Sequence, residues 1–441
     1  MNIYALSSGR GPSGIAIIRV SGINVLEISK KITNENDIKS KSINLCKFYD
    51  PTDQSIIDEG LLLWFPKPSS FTGDNLAEFH IHGSNAVINK FLHVLSKVDN
   101  CRLAEPGEFT KIAFQNNKID LLEAESIGDL IHSETELQRQ QAINVVQGNT
   151  SNYYNDVREK LIKALAFIEA KIDFAEDDLP ETVLHEVHLS IKTIHQDIKK
   201  ILEDNKIGEK IRDGFRVSII GEVNAGKSSL LNLLSKREVA IVSEEEGTTR
   251  DVIEIFLNID GYPVILSDTA GIRDTKNDIE KKGISLALQK SKNADLNIIM
   301  FDNSSKKINK QITNLLNENS IVLLNKSDIN DHQIHKFDVD TILVSVKDNK
   351  NINVLIKKIK DKLSKKLTSN HNILITRERH RVNLNKCLKE IDKFLMKDQN
   401  KDIELAAEDL RMATRHLGSL VGKIDVEDIL GSIFKDFCIG K

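Results

Sequence analysis

The segment Gly221-Glu-Val-Asn-Ala-Gly226-Lys227-Ser228 constrains this chain more than any other. It fits the pattern GxxxxGK[ST], follows the apolar run 215–220 and opens a helical stretch. Glycines there let the backbone curl so that several N–H groups face one anion, and the helix N-terminus behind them adds a favourable dipole. In such a loop Lys227 reaches the β- and γ-phosphates, and the Ser228 hydroxyl binds Mg²⁺. A chain built around this loop needs a strand-turn-helix unit inside an α/β sheet.

Residues 211–367 supply that sheet. Short apolar runs at 215–220, 264–266, 296–301, 321–324 and 342–344 alternate with polar or helical stretches. The alternation predicts a parallel sheet with crossover helices. Asp268-Thr269-Ala270-Gly271 ends one strand; its carboxylate can hold Mg²⁺ through water, and the Gly271 N–H can sense a γ-phosphate. Asn325-Lys326-Ser327-Asp328 follows another strand. Its carboxylate accepts from the ring N–H and exocyclic amine of guanine, and adenine would leave it unpaired. Ser345-Val346-Lys347 is placed to touch the base through main chain. Alone, the second motif is equally a polar turn. In this order, each after a strand, the set predicts GTP binding, with Asn224, Ala225, Gly226 and Ser229 part of the phosphate loop.

Between the first two motifs lies Gly247-Thr248-Thr249-Arg250-Asp251, a loop expected to order with GTP and relax after hydrolysis. Thr249, rather than Thr248, is the expected Mg²⁺ ligand. Ras-like switches carry Gln after the DxxG glycine to orient water, whereas this chain has Ile272. Another group must orient the nucleophile. Glu280 is the nearby candidate, although by itself it reads as a solvated carboxylate in the first turn of a helix.

Outside this region, the 441 residues allow about three domains. The first ~117 residues hold five of the seven prolines and strand-like runs at 14–20, 61–65 and 77–82, which predicts an α+β domain. Helical spacing marks Ile127, Leu130, Ile131, then Leu161, Leu165, Ile168, then Val187, Ile191, Ile194, Ile198, Leu202, before Gly208 and Gly214 interrupt. It returns at Leu384, Leu388, Ile391, Leu395 and at Ala406, Leu410, Ala413, Leu417. The expected organisation is an N-terminal domain (1–117), a helical domain in two parts (118–210 and 368–441) and an inserted α/β domain (211–367). Two separate helical units are the alternative.

Composition excludes several classes. With 61 basic against 65 acidic residues, no general nucleic-acid coat or polybasic membrane anchor is signalled. Aromatics at 5% argue against a base-stacking platform. No two of Cys46, Cys101, Cys387 and Cys438 have CxxC spacing, so no zinc knuckle or redox pair follows. His80 and His82 share a strand face, but no further ligand set accompanies them and a structural role is expected. No apolar run reaches a membrane span and the N-terminus lacks a signal-peptide pattern, so a cytoplasmic protein is expected.

The chain closely resembles the MnmE (TrmE) family of tRNA-modification GTPases over essentially its full length. The resemblance rests on Gly9-Arg-Gly-Pro-Ser-Gly-Ile-Ala-Ile-Ile-Arg19-Val-Ser-Gly22, on Phe71-Thr-Gly-Asp74 with Glu78-Phe-His-Ile-His-Gly83, and on Pro106-Gly-Glu-Phe-Thr110 with Lys118-Ile-Asp-Leu121. It rests further on Asn224-Ala-Gly-Lys-Ser-Ser229 and, most specifically, on Phe437-Cys-Ile-Gly-Lys441. It implies an N-terminal folate-binding and dimerisation domain, a discontinuous helical domain and an inserted Ras-like G domain. It also implies a homodimer that works with the FAD enzyme MnmG, as a heterotetramer or larger, to add an aminomethyl or carboxymethylaminomethyl group to carbon 5 of the tRNA wobble uridine. Arg19, Glu78, Lys118 and Lys441 are the implied contacts of 5-formyl-tetrahydrofolate or a related one-carbon folate; read alone, Arg19 and Lys118 are ordinary surface charges. G domains of the family dimerise with K⁺ bound in place of an arginine finger. Asn224 matches its side-chain ligand, with carbonyls around Ser243 and Glu245 and with Thr248 completing the shell. Glu280 falls on the water-orienting glutamate, and Cys438 on the C-terminal cysteine, for which an inert thiol and a role near the modification site stand level.

The chain departs from the family pattern in the loop Ser243-Glu244-Glu245-Glu246-Gly247, where Glu245-Glu246 replace the usual apolar and small residue, and at Ser13, Ile112 and Val346. The acidic run bears on loop geometry and cation affinity. A ribosome-assembly or regulatory GTPase without modification chemistry is the competing reading; it would need neither the N-terminal domain nor the terminal motif.

Overall fold

The computed structural model describes residues 1–9, 11–173, 181–222, 224–237, 240–241, 254–268, 291–305, 308–329, 337–367, 373–398, 401–424, 427–435 and 437–440. The chain divides into two compact units. One comprises Met1–Gly128, Val145–Lys163 and Arg411–Lys441, and the other Asp129–Asn144 and Ala164–Leu410.

The first unit is built on a six-stranded sheet: β1 (Asn2–Leu6), β2 (Ser13–Ser21), β3 (Ile43–Tyr49), β4 (Ile56–Phe65), β5 (Leu76–Gly83) and β6 (Cys101–Leu103). Their order is β3-β4-β5-β2-β1-β6, antiparallel throughout except for the β1–β6 pair. Alternation sets the two faces. On β2, Ala16, Ile18 and Val20 are fully buried, and the residues between them turn the other way. The helices Val25–Thr33 and Asn85–Ser96 cover the first face with Val25, Ile28, Ile32, Ile88, Phe91 and Val94. Phe91 meets Phe48 and Phe79 with ring centroids 5.5 and 5.0 Å apart, and full burial of each ring contributes about 1.5–3 kcal/mol. Ser84 caps the second helix by accepting from the Val87 N–H at 3.2 Å.

A reciprocal cap also begins the helix Leu121–Ile131. The Glu123 N–H donates to Asp120 Oδ1 at 2.9 Å, and the Asp120 N–H donates to Glu123 Oε2 at 2.8 Å. This helix carries the expected spacing Ile127, Leu130, Ile131 and buries Leu121, Leu122, Ala124 and Gly128. Ile127 packs against the cluster of Ala124, Phe434 and Phe437. A Cβ at Gly128 would lie 3.0 Å from the Phe437 ring, so the C-terminal segment approaches the helix closely there.

The second unit carries a seven-stranded sheet: β7 (Phe215–Gly221), β8 (Ala240–Ile241), β9 (Glu254–Ile259), β10 (Tyr262–Asp268), β11 (Leu296–Asp302), β12 (Ser320–Asn325) and β13 (Thr341–Leu343). The order is β13-β12-β11-β7-β10-β9-β8. β7 and β10–β13 are mutually parallel, and β12 is buried at every position, as a strand covered on both faces requires. The expectation of a purely parallel sheet needs correction at one edge, where β9 and β8 run antiparallel. The cause is the two-residue turn Asp260-Gly261, with φ of 54° and 93°, which folds β9 back on β10.

Gly208 is a second correction. It does not interrupt a helix but lies inside one, Ile207–Asp213, where a Cβ would meet the Ile375 carbonyl oxygen at 1.9 Å. Gly214, at φ 103°, does end that helix. The helices Glu181–Leu202 and Glu378–Met396 pack along Val187, Ile191, Ile194 and Ile198, and Leu384, Cys387 and Ile391, all buried.

Candidate functional site

The phosphate loop leaves β7 at Gly221 and enters the helix Lys227–Ser235. Asn224 at φ 63° and Gly226 at φ 100° make the bend. Lys227 is nearly buried, and its ammonium donates to the Gly221 and Glu222 carbonyls at 2.9 and 2.7 Å. Those carbonyls hold the cation beneath the loop, at the helix N-terminus that also presents the exposed hydroxyls of Ser228 and Ser229.

Asn325 joins this loop to the segments read as base-recognising. Its amide nitrogen donates to the Ala225 carbonyl at 2.8 Å, and its amide oxygen accepts from the Val346 N–H at 3.1 Å. The side chain is buried, so both bonds are made away from water and leaving either partner unpaired is costly. Gly226 is required for the approach: a Cβ there would sit 2.3 Å from the Asn325 amide nitrogen. Asp328 is exposed, and its Oδ1 accepts from the Ser345 hydroxyl at 2.7 Å. That bond first, then its own N–H, holds the carboxyl below the usual carboxylate range. It is therefore an ionised acceptor at neutral pH. Ser345 also accepts from the Asp348 N–H at 3.1 Å, and Lys347 is exposed beside it. The Ser327 N–H donates to the Val344 carbonyl at 3.1 Å. Three sequence motifs thus converge at the carboxyl ends of β7, β12 and β13, the edge where open α/β sheets bind ligands.

In the first unit, Arg19 and Glu78 face each other across β2 and β5. Arg19 Nε and NH2 donate to Glu78 Oε1 at 3.0 and 2.7 Å. The guanidinium also lies over the rings of Phe71 and Phe109, 5.6 and 5.7 Å from their centroids. Both residues lie on the sheet face opposite the two helices. Lys118 Nζ donates to the Pro68 carbonyl at 3.1 Å, and Asn116 Nδ2 to the Thr72 carbonyl at 2.8 Å, in the loop that carries Phe71. The C-terminal segment docks on the same unit. Ile439 bridges Pro106, Gly107 N–H donates to the Cys438 carbonyl at 3.4 Å, and Ser7 Oγ to the Gly440 carbonyl at 2.9 Å. Cys438 itself is exposed. His82 is bound to Asp58 at 2.9 Å and His80 is 3.7 Å from Glu78. No metal-ligating cluster occurs among the described residues.

Comparison with known proteins gives two family matches: the MnmE helical domain over residues 121–438 and the GTP-binding protein TrmE N-terminus over residues 2–118. A tRNA modification GTPase MnmE of Pelagibacter ubique is 55% identical over the whole of both chains. The chain belongs to the MnmE family. Two further MnmE relatives, from Rickettsia bellii and Rickettsia rickettsii, are 43% and 42% identical over all of this chain and 99% of their own lengths.

For an MnmE-family chain, the described geometry covers part of the expected site. Ser243, Glu244, Glu245, Glu246, Gly247, Thr248, Thr249, Thr269, Ala270, Gly271, Glu280 and Lys441 lie outside the described residues, as does the side chain of Asp268. Sequence reasoning missed the linking role of Asn325 and the aromatic pair around Arg19. The first carried no signal beyond the motif; Phe71 and Phe109 stood inside quoted motifs with no assigned task. No helix among the described residues is long and apolar enough to cross a membrane.

Proposed function

We propose that this MnmE-family chain hydrolyses GTP and couples turnover to modification of the tRNA wobble uridine. In this reading it works as a homodimer with the FAD enzyme MnmG, adding an aminomethyl or carboxymethylaminomethyl group at carbon 5. The observation that carries the nucleotide assignment is the Asn325 side chain, bonded to both Ala225 and Val346. It ties the loop at Ala225 to the segments around Asn325 and Val346, as one nucleotide site requires, and Asp328 is exposed next to them.

Ser228 with Thr249 would hold Mg²⁺, and the exposed Ser228 hydroxyl at the helix start fits that role. Asn224, exposed at the bend of the loop, fits as a K⁺ ligand, with Ser243, Glu245 and Thr248 supplying the rest. The cation would supply positive charge between the β- and γ-phosphates. Glu280 would orient the attacking water. Arg19, Glu78, Lys118 and Lys441 would hold a formyl-tetrahydrofolate. Arg19 and Glu78 fit by their chemistry: a guanidinium suits the glutamate tail of a folate and a carboxylate suits the donor edge of its pterin ring, and the two are paired side by side on one sheet face.

The test is nucleotide selectivity. Asp328→Asn should lose GTP affinity and gain affinity for xanthosine nucleotides, because the amide offers a donor to the xanthine oxygen. Unchanged GTP binding by that variant would refute the base assignment.

A further inference from the structure

The candidate nucleotide site contains an ion pair with no assigned role. β11 and β12 lie side by side with Asp302 level with Asn325, so Lys326 stands one residue beyond the end of its strand. Lys326 has φ 66°, which turns the chain out of the sheet there. Its ammonium meets Asp302 Oδ2 at 2.5 Å. The carboxylate is itself fixed: Oδ1 accepts from the Ser304 N–H at 2.9 Å and the Ser304 hydroxyl at 2.6 Å. Burial pushes this carboxyl up, and the Lys326 and Ser304 donors outweigh it, leaving the group below its usual range.

The neighbours of Lys326 are tied down independently. Asn325 is bonded to Ala225 and Val346, and Asp328 to Ser345. Lys326 is held by neither arrangement. Its four-carbon stem is long, loses rotamer entropy when fixed, and is retained at its far end by Asp302 alone among the described residues. A fully exposed pair of this type contributes little. This one is only 20% and 33% exposed, and its acceptor is held by its own turn. The pair therefore starts with part of its ordering cost already met.

We infer that Asp302 is a positioning residue for guanine-nucleotide binding, fixing the Lys326 side chain within the segment Asn325–Asp328 that is assigned to the base. The inference rests on the nucleotide assignment above. Asp302 acts through Lys326 rather than by touching the nucleotide.

The test is a double-mutant cycle on the full chain, read by the dissociation rate of a fluorescent GDP. Asp302→Asn preserves shape and removes the charge. It should weaken GDP binding about tenfold, the scale of a lost charge-assisted hydrogen bond. In a Lys326→Met background the same substitution should have no further effect. A general weakening of the β11 end would instead lower the melting temperature and persist in that background. Wild-type GDP affinity in Asp302→Asn, or an equal loss in both backgrounds, would overturn the inference. Asp328→Asn separates the two levels. If it weakens GDP while Asp302→Asn does not, the positioning role alone falls; if neither variant weakens GDP, the nucleotide assignment falls.

Discussion

The Ser7 hydroxyl donates to the carbonyl of Gly440 at 2.9 Å, across 433 residues of sequence. This bond brings the C-terminal segment to the N-terminal sheet of the same chain. Gly440, at φ 102°, permits the contact, since a Cβ would lie 2.3 Å from the Leu6 carbonyl oxygen. Deletion of residues 438–441, or Gly440→Ala, should weaken 5-formyl-tetrahydrofolate binding and leave GTP binding intact. Calorimetry showing equal folate affinity in both variants would separate the segment from the folate site.

Arg19→Met and Glu78→Gln test the sheet face itself. Each removes one partner of a pair only 14% and 18% exposed at the side chain. Folate affinity should fall about tenfold or more in each, as expected for charge-assisted contacts. GDP dissociation should not change. A melting-temperature control distinguishes lost binding from the cost of an unpaired, partly buried charge.

The cysteines should label in a fixed order. Cys46 and Cys387 are buried, and burial pushes the Cys101 thiol up to about 11. At pH 8 such a thiol is roughly 0.1% thiolate, and its reactivity should rise only as the pH approaches 11. Iodoacetamide should therefore modify the exposed Cys438 first, as read by peptide mapping. Faster labelling at Cys101 would contradict the burial described for it.

Turnover should respond to K⁺ through Asn224. Because Asn224 sits at φ 63°, alanine there would add backbone strain of about 1 kcal/mol. Asn224→Gly removes the amide without that strain. It should retain GDP binding through Lys227 and lose the rate difference between KCl and NaCl. Glu280→Ala should lose hydrolysis and keep K⁺-dependent association. Equal wild-type rates in the two salts would mean that the Glu245-Glu246 departure has broken the K⁺ loop, or that K⁺ is not the activator and the mechanism is wrong.

Much of this arrangement could be read from residues, for a physical reason. The runs 215–220, 296–301 and 321–324 are continuous apolar stretches that only a doubly covered strand accommodates. The edge hairpin was equally available and passed over: Asp260-Gly261 between Ile259 and Tyr262 is a two-residue turn signal. Its flanking strands are mixed in polarity, so apolar runs alone did not reveal them. Asn325 could be placed in a motif, but its bonds to Ala225 and Val346 span 100 and 21 residues and depend on strand order. The Ile127 spacing marked the helix Leu121–Ile131, but the close approach of Phe437 at Gly128 left no signal, because a glycine has no side chain to show what packs on it.

The most direct measurement is the nucleoside composition of tRNA from a strain lacking this chain, complemented with wild type or with Lys227→Ala. Wild type should restore the aminomethyl or carboxymethylaminomethyl group at carbon 5 of the wobble uridine, and Lys227→Ala should not. Unmodified wobble uridine in the wild-type complement, or full modification with Lys227→Ala, would contradict GTP-driven tRNA modification by this chain.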